Sequence, residues 1–177
     1  ELQNLMHQLI TGGFETTQSA INHGMWALIR FPDIVEKLYE DDSLLKPFIE
    51  EVLRWESPVQ FLLRRTQKDV EVSGTTIPKD SMVMMGYGPA NRDESKFSCP
   101  HQFQLDREGV GAHVAFGSGA HHCPGALLGR QEMIRSFKFL IKRMKNIKLA
   151  KPLQEPVHNF SLFFMPMKEF FITFDKR

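Results

Sequence analysis

The chain has 177 residues, 42% hydrophobic and 24% charged, enough to bury one sizeable core. A net charge of +1 gives no global pull toward nucleic acid or a membrane surface, and no apolar run approaches the ~20 residues a spanning helix needs. Two cysteines make no disulfide framework in a chain this long, and no signal-peptide pattern opens it. Fifteen phenylalanines against two tyrosines suit an apolar interior or pocket.

Residues 1–30 place Leu2, Leu5, Met6, Leu9, Ile10 and later Ala20, Ile21, Leu28 and Ile29 at helical spacing, and Phe31-Pro32 ends the run. Glu1 opens straight into this pattern without a cap, so the chain is expected to start inside a longer protein. Gly12 and Gly13, adjacent in mid-helix, cost about 1 kcal/mol each against alanine, so something should repay them. One reading is a break between two helices, with Thr16 or Thr17 capping the second. The other is a helix that widens to admit a ligand beside an acid, Glu15, and an alcohol, Thr16.

A second helix is expected over Pro32–Glu40 and a third over Ser43–Trp55, stopped by Ser57-Pro58. The third carries Glu51 and Arg54, three apart and hence neighbours on one face; exposed, such a pair contributes little. Val59–Tyr87 reads as short strands. Val70-Glu71-Val72 leads through Ser73-Gly74-Thr75 to Thr76-Ile77 as a hairpin, and Ser81–Met85 follows a turn at Pro78-Lys79-Asp80. Ala90–Arg107 is a loop far longer than an ordinary connection.

The run Phe116-Gly117-Ser118-Gly119-Ala120-His121-His122-Cys123-Pro124-Gly125 sets three glycines around one cysteine. Glycine lets a backbone approach a flat ligand, and a cysteine before a helix N-terminus favours its thiolate. A large planar metal cofactor suits that arrangement, iron-porphyrin above all. The alternatives are a Cys99–Cys123 disulfide and zinc on His121, His122 and Cys123, which lacks a second ligand pair at zinc spacing. Pro124 suits a first helical turn. Leu127, Ile134, Phe137, Ile141 and Met144 then mark one buried face. The same segment is basic at Arg130, Arg135, Lys138 and Lys142, either a solvated face or a surface that steers an acidic partner. Phe160, Leu162, Phe164 and Phe170, Ile172, Phe174 read as a final hairpin around Pro166-Met167-Lys168.

Phe116, Gly119, Cys123 and Gly125 fit the pattern Phe-x-x-Gly-x-x-x-Cys-x-Gly, and the sequence resembles the cytochrome P450 family. Gly12-Gly13-Phe14-Glu15-Thr16 resembles that family's oxygen-binding groove, and Glu51-x-x-Arg54 its Glu-x-x-Arg motif. The three occur in the family's order, and the likeness runs over essentially the whole chain. It implies a mainly α fold with small β-sheets (α+β), residues 1–177 being the C-terminal portion of a single domain of the soluble bacterial type.

It further implies haem b, with Cys123 as the axial metal ligand, His121 and Arg64 at the propionates, and Phe116, Gly117, Gly119 and Gly125 shaping the loop. Arg65 stands beside Arg64, so that assignment could shift by one. Gly12 and Gly13 would make room for dioxygen, while Glu15 and Thr16 would relay protons. Glu51 and Arg54 would form a buried structural pair. Many members complete it with an arginine where this chain has Gln102, which leaves His101 or Arg107 as substitutes. Phe163–Met167 would reach toward substrate. The implied activity is a haem-thiolate monooxygenase, cytoplasmic, with a small hydrophobic organic substrate. A ferredoxin-like or flavodoxin-like electron donor would dock at Arg130, Arg135, Lys138 and Lys142, and no nucleic acid would be involved. Rival readings are other haem-thiolate chemistry (peroxygenase, isomerase, nitric-oxide reductase) and a non-catalytic fragment.

Overall fold

The computed structural model describes residues 1–151, 157–158 and 161–177. Its first element, α1 (Leu2–Arg30), is one continuous helix, so the two adjacent glycines do not divide it. Thr16 is not a cap either: its hydroxyl donates to the Gly12 carbonyl at 2.6 Å. Only the second half of α1 enters the core, through Ala20, Met25, Ala27 and Leu28. Phe31, whose N–H bonds to the Ala27 carbonyl, closes the helix, and Pro32 leads into α2 (Asp33–Glu40).

A 3₁₀ turn at Asp42–Leu44 precedes α3 (Leu45–Trp55), which is buried from Leu45 and continuously from Phe48 to Arg54. It packs against α1 and α5 (Ala126–Ile141), with Phe48 and Phe137 edge-on at 5.2 Å between ring centres. Phe103, from the long loop, stacks on Phe31 at 5.3 Å and meets Trp55 edge-on at 5.6 Å. Gly24 is required where α1 crosses α5, because a Cβ there would lie 2.4 Å from Cζ of Phe137.

Among the described residues the strands form four two-stranded antiparallel sheets. β1 (Phe61–Arg65) pairs with β4 (Met82–Gly86), and β2 (Val70–Val72) with β3 (Thr75–Ile77). Between the latter two, Ser73 and Gly74 both take positive φ, 49° and 78°, as a two-residue hairpin turn requires. A single helical turn, α4 (Tyr87–Ala90), follows β4.

The C-terminal third departs from the sequence expectation. α5 begins at Ala126, after Pro124, and stops at Ile141. Met144 therefore belongs to β5 (Met144–Leu149), which pairs with β8 (Ile172–Lys176). The expected terminal hairpin is thus replaced by this long-range pair together with β6 (Val157–His158) on β7 (Met167–Glu169). Phe160, assigned to that hairpin, lies outside the described residues. Leu127 is 73% exposed, because Ala126, Met133, Phe137 and Ile141 form the inward stripe and Leu127 turns away from it.

His23 ties the two ends together. Fully buried, its ring nitrogens lie 2.9 Å from the Glu56 carbonyl and 3.0 Å from the Met165 carbonyl, and burial lowers its pKa.

Candidate functional site

α1, β1, the Phe116–Pro124 loop and α5 enclose a largely apolar cavity of about 330 Å³. α1 contributes Gly12, Thr16, Thr17 and Ala20, and β1 contributes Leu62 and Arg64. Phe116, Gly117, His121 and Cys123 come from the loop, Gly129 and Met133 from α5, and Phe164 from the C-terminal segment. Phe164 is held there by a bridge to Val59 and by the Gln60 N–H, which donates to the Phe163 carbonyl at 2.7 Å.

The loop owes its shape to its sequence. Gly117 and Gly119 sit at φ 71° and 70°, a region costly for any residue with a Cβ. The Cys123 N–H donates to the Phe116 carbonyl at 2.9 Å, and Gly117 N–H to the Val114 carbonyl at 2.8 Å. At Gly125 a Cβ would stand 3.7 Å from the Cys123 sulfur. Cys123 is half-buried and Cys99 exposed, and both are free thiols, which removes the disulfide alternative. Among the described residues no cluster of three or more His, Cys, Asp and Glu could hold a metal ion, so the zinc reading has no site.

The structure brings Gly12, Thr16, Arg64, Phe116, Gly117, His121 and Cys123 to one cavity. Gly13 and Glu15 are exposed and outside its wall, as is Gly119. Arg64 donates to the Leu63 carbonyl at 2.8 Å and no carboxylate pairs with it among the described residues; Arg65 instead pairs with Asp80 at 3.3 Å.

Behind the cavity lie two buried carboxylates on consecutive residues of α3. Glu51 accepts from Arg54 Nε and Nη2 at 2.7 and 2.8 Å, from Arg107 Nε at 3.0 Å, and from the Gln104 N–H at 2.9 Å. Arg54 spends its other donors on the carbonyls of Asn91, Pro100 and Gln102. Arg107 therefore takes the third position, while His101 offers only its carbonyl, to Trp55 Nε1. The buried Asn91 carries the connection on, its side-chain oxygen accepting from the Val114 N–H at 2.7 Å.

Glu50 is the second centre. It accepts from Arg130 Nε and Nη2 at 2.7 and 3.0 Å and lies 2.9 Å from His113 Nε2. Burial raises its pKa, but the His113 hydrogen bond and the Arg130 ion pair outweigh this and hold it at about 2, below the ordinary 4.5. Arg130 also lies over the Phe116 ring, 4.4 Å from its centre. It is consequently a half-buried residue committed to Glu50, and the expected basic face is reduced. Arg135 is exposed, while Lys138 pairs with Asp42 at 2.8 Å and Lys142 with the same residue at 3.5 Å. Glu50, Asn91 and His113 join these centres without a signal in the sequence. Their partners are 23 to 80 positions away, so no local spacing signals them.

Among the described residues, no helix is long and apolar enough to cross a membrane. The family model described as Cytochrome P450 matches residues 1–174. Cytochrome p450 CYP199A2 of Rhodopseudomonas palustris is 38% identical over 155 residues, which cover 88% of this chain and 37% of that protein. The methyl-branched lipid omega-hydroxylase of Mycobacterium bovis is 37% identical over 175 residues, 98% of this chain and 40% of that one. The solved structure of CYP109Q5 from Chondromyces apiculatus superimposes with a TM-score of 0.90 at 34% identity, covering 97% of this chain and 44% of that chain. The chain thus spans about two fifths of the length of the curated relatives it matches.

Proposed function

The chain belongs to the cytochrome P450 family, and from that premise we propose that it forms the C-terminal portion of the single domain of a haem-thiolate monooxygenase. The observation that carries the reading is the half-buried Cys123 thiol in the cavity wall, on a glycine-shaped loop, with Thr16 in the wall contributed by α1.

The residues fit haem b. The walls are apolar, the loop keeps its backbone low at Gly117, and two side chains able to carry positive charge, Arg64 and His121, stand in the lining for two propionates. Cys123 would hold the haem iron through its sulfur, and Phe116 would pack beside it. Bound there, haem would supply the reductive activation of dioxygen and the transfer of one oxygen atom to an organic substrate.

The chain's own residues prepare that chemistry. The Thr16 hydroxyl donates a hydrogen bond to the Gly12 carbonyl, which would leave its lone pairs to accept from a water at the cavity. Glu15, one residue earlier and exposed, would collect protons from solvent. Gly12 would leave space along that wall, where a Cβ meets only Gln8 at 3.5 Å, while Gly13 lies outside it. Phe164 would exclude water and press against a small hydrophobic substrate. Glu51 and Arg54, with Arg107, would keep the loop's scaffold rigid.

An acidic ferredoxin-like or flavodoxin-like donor would approach α5, which carries the exposed Leu127, Leu128, Arg135 and Lys138, with the exposed Lys142 just past its end. Arg130, committed to Glu50, would contribute nothing to that docking. A cytoplasmic setting suits such a donor. The test is the ratio of product formed to electrons consumed. Thr16→Ala should lower it several-fold while leaving the haem spectrum intact, and an unchanged ratio would remove Thr16 from the proton path.

A further inference from the structure

Glu50 and Glu51 are adjacent, yet their carboxylates serve different parts of the molecule. Glu51 gathers the long loop, whereas Glu50 faces the segment that leads into the cysteine loop. We infer that His113 is a positioning residue for Cys123, acting through Phe116 with Glu50 and Arg130 as its partners. The role given to Cys123 rests on the haem-thiolate reading above; the geometry of the cluster does not.

The protonation of His113 follows from its neighbours. Its Nδ1 lies 3.2 Å from the Ala115 N–H, a group that can only donate, so Nδ1 accepts. The proton of the neutral ring is then on Nε2, aimed at Glu50 Oε2 at 2.9 Å. The side chain is 1% exposed and outside the cavity wall, so it touches no reacting atom. It joins α3, through Glu50, to the backbone of the incoming segment in one fixed orientation.

Arg130 completes the assembly from α5, gripping both Glu50 oxygens and covering the Phe116 ring, which the His113 ring also meets at 6.2 Å. Phe116 thereby meets both members of the cluster, and its carbonyl receives the Cys123 N–H. Three segments that meet nowhere in sequence set the height and tilt of one cysteine. A space-filling residue at 113 could not do this, because the Ala115 N–H and the Glu50 carboxylate would each lose a buried partner.

Two substitutions divide the ring's functions. The amide nitrogen of glutamine overlays Nε2, so His113→Gln keeps the Glu50 contact and releases Ala115. The side-chain oxygen of asparagine overlays Nδ1, so His113→Asn keeps Ala115 and abandons Glu50. Arg130→Lys loosens the cluster more gently by removing the forked grip.

Amide hydrogen exchange is measured on the purified protein with whatever it carries, alongside the reduced carbon monoxide spectrum. We expect exchange at Gly117 and Cys123 to rise at least tenfold in His113→Asn and several-fold in Arg130→Lys, with Gln104 on the Glu51 centre unchanged. The thiolate band should fall in His113→Asn and recover in His113→Gln. Equal behaviour of the two His113 variants, no rise at Cys123 in Arg130→Lys, or a rise that includes Gln104 would overturn the positioning role. Absence of a thiolate band in the unaltered protein would sink the haem reading alone, since the exchange comparison does not use it.

Discussion

Arg54→Lys keeps the charge and most of the length of a side chain that is wholly buried, and it should still be severe. The guanidinium has five N–H groups in a fixed plane, and all five are engaged: two by Glu51, one each by the carbonyls of Asn91, Pro100 and Gln102. An ammonium offers three donors from one point, so at least two of the five buried, charge-assisted hydrogen bonds are lost, even though Arg107 still reaches Glu51 and the Gln102 carbonyl. At about 1–3 kcal/mol for each, the loss is about 2–6 kcal/mol, the same range as breaking a buried ion pair. Arg107→Lys should cost less, about 1–3 kcal/mol, because Arg54 still neutralises Glu51. Urea unfolding of the two variants against the parent protein reads both numbers from the midpoint shifts. A loss below about 1 kcal/mol for Arg54→Lys, or a larger loss for Arg107→Lys, would refute this account of the centre.

The other predictions address packing and charge. Gly24→Ala drives a methyl into the buried Phe137 ring, so overpacking of about 1–3 kcal/mol should outweigh the ~1 kcal/mol that alanine gains in a helix. Adding Phe137→Leu should recover part of the loss, and simple additivity of the two would count against a direct clash. Glu50, held at about 2, contributes stability that is complete above its ordinary 4.5 and is lost as pH falls through about 2. Acid unfolding of Glu50→Gln should therefore show a shallower decline than the parent between those values. Parallel curves would mean that Glu50 is not held by His113 and Arg130.

What could be read in the sequence follows the range of each interaction. The helix over residues 1–30, the third helix and the Ser73-Gly74 hairpin rest on neighbours, and their positions emerged from spacing alone. So did the cysteine loop, because its glycines and cysteine lie within ten positions. β5 did not, since Met144 continues the apolar stripe of α5 at helical spacing and its partner strand begins at Ile172. Arg130 reads as a surface cation because it sits in a basic run, and only the fold reveals a carboxylate 80 positions away facing it. Glu15 and Thr16 are consecutive, and a helix turns about 100° between them. That is why one lines the cavity and the other meets solvent.

The central claim, that Cys123 holds haem as a thiolate, is tested most directly by the visible spectrum of the dithionite-reduced protein with and without carbon monoxide. A strongly red-shifted Soret band, abolished in Cys123→Ser, is the predicted result. A band at the position of histidine-ligated or neutral-thiol haem, or no haem band at all, would contradict it.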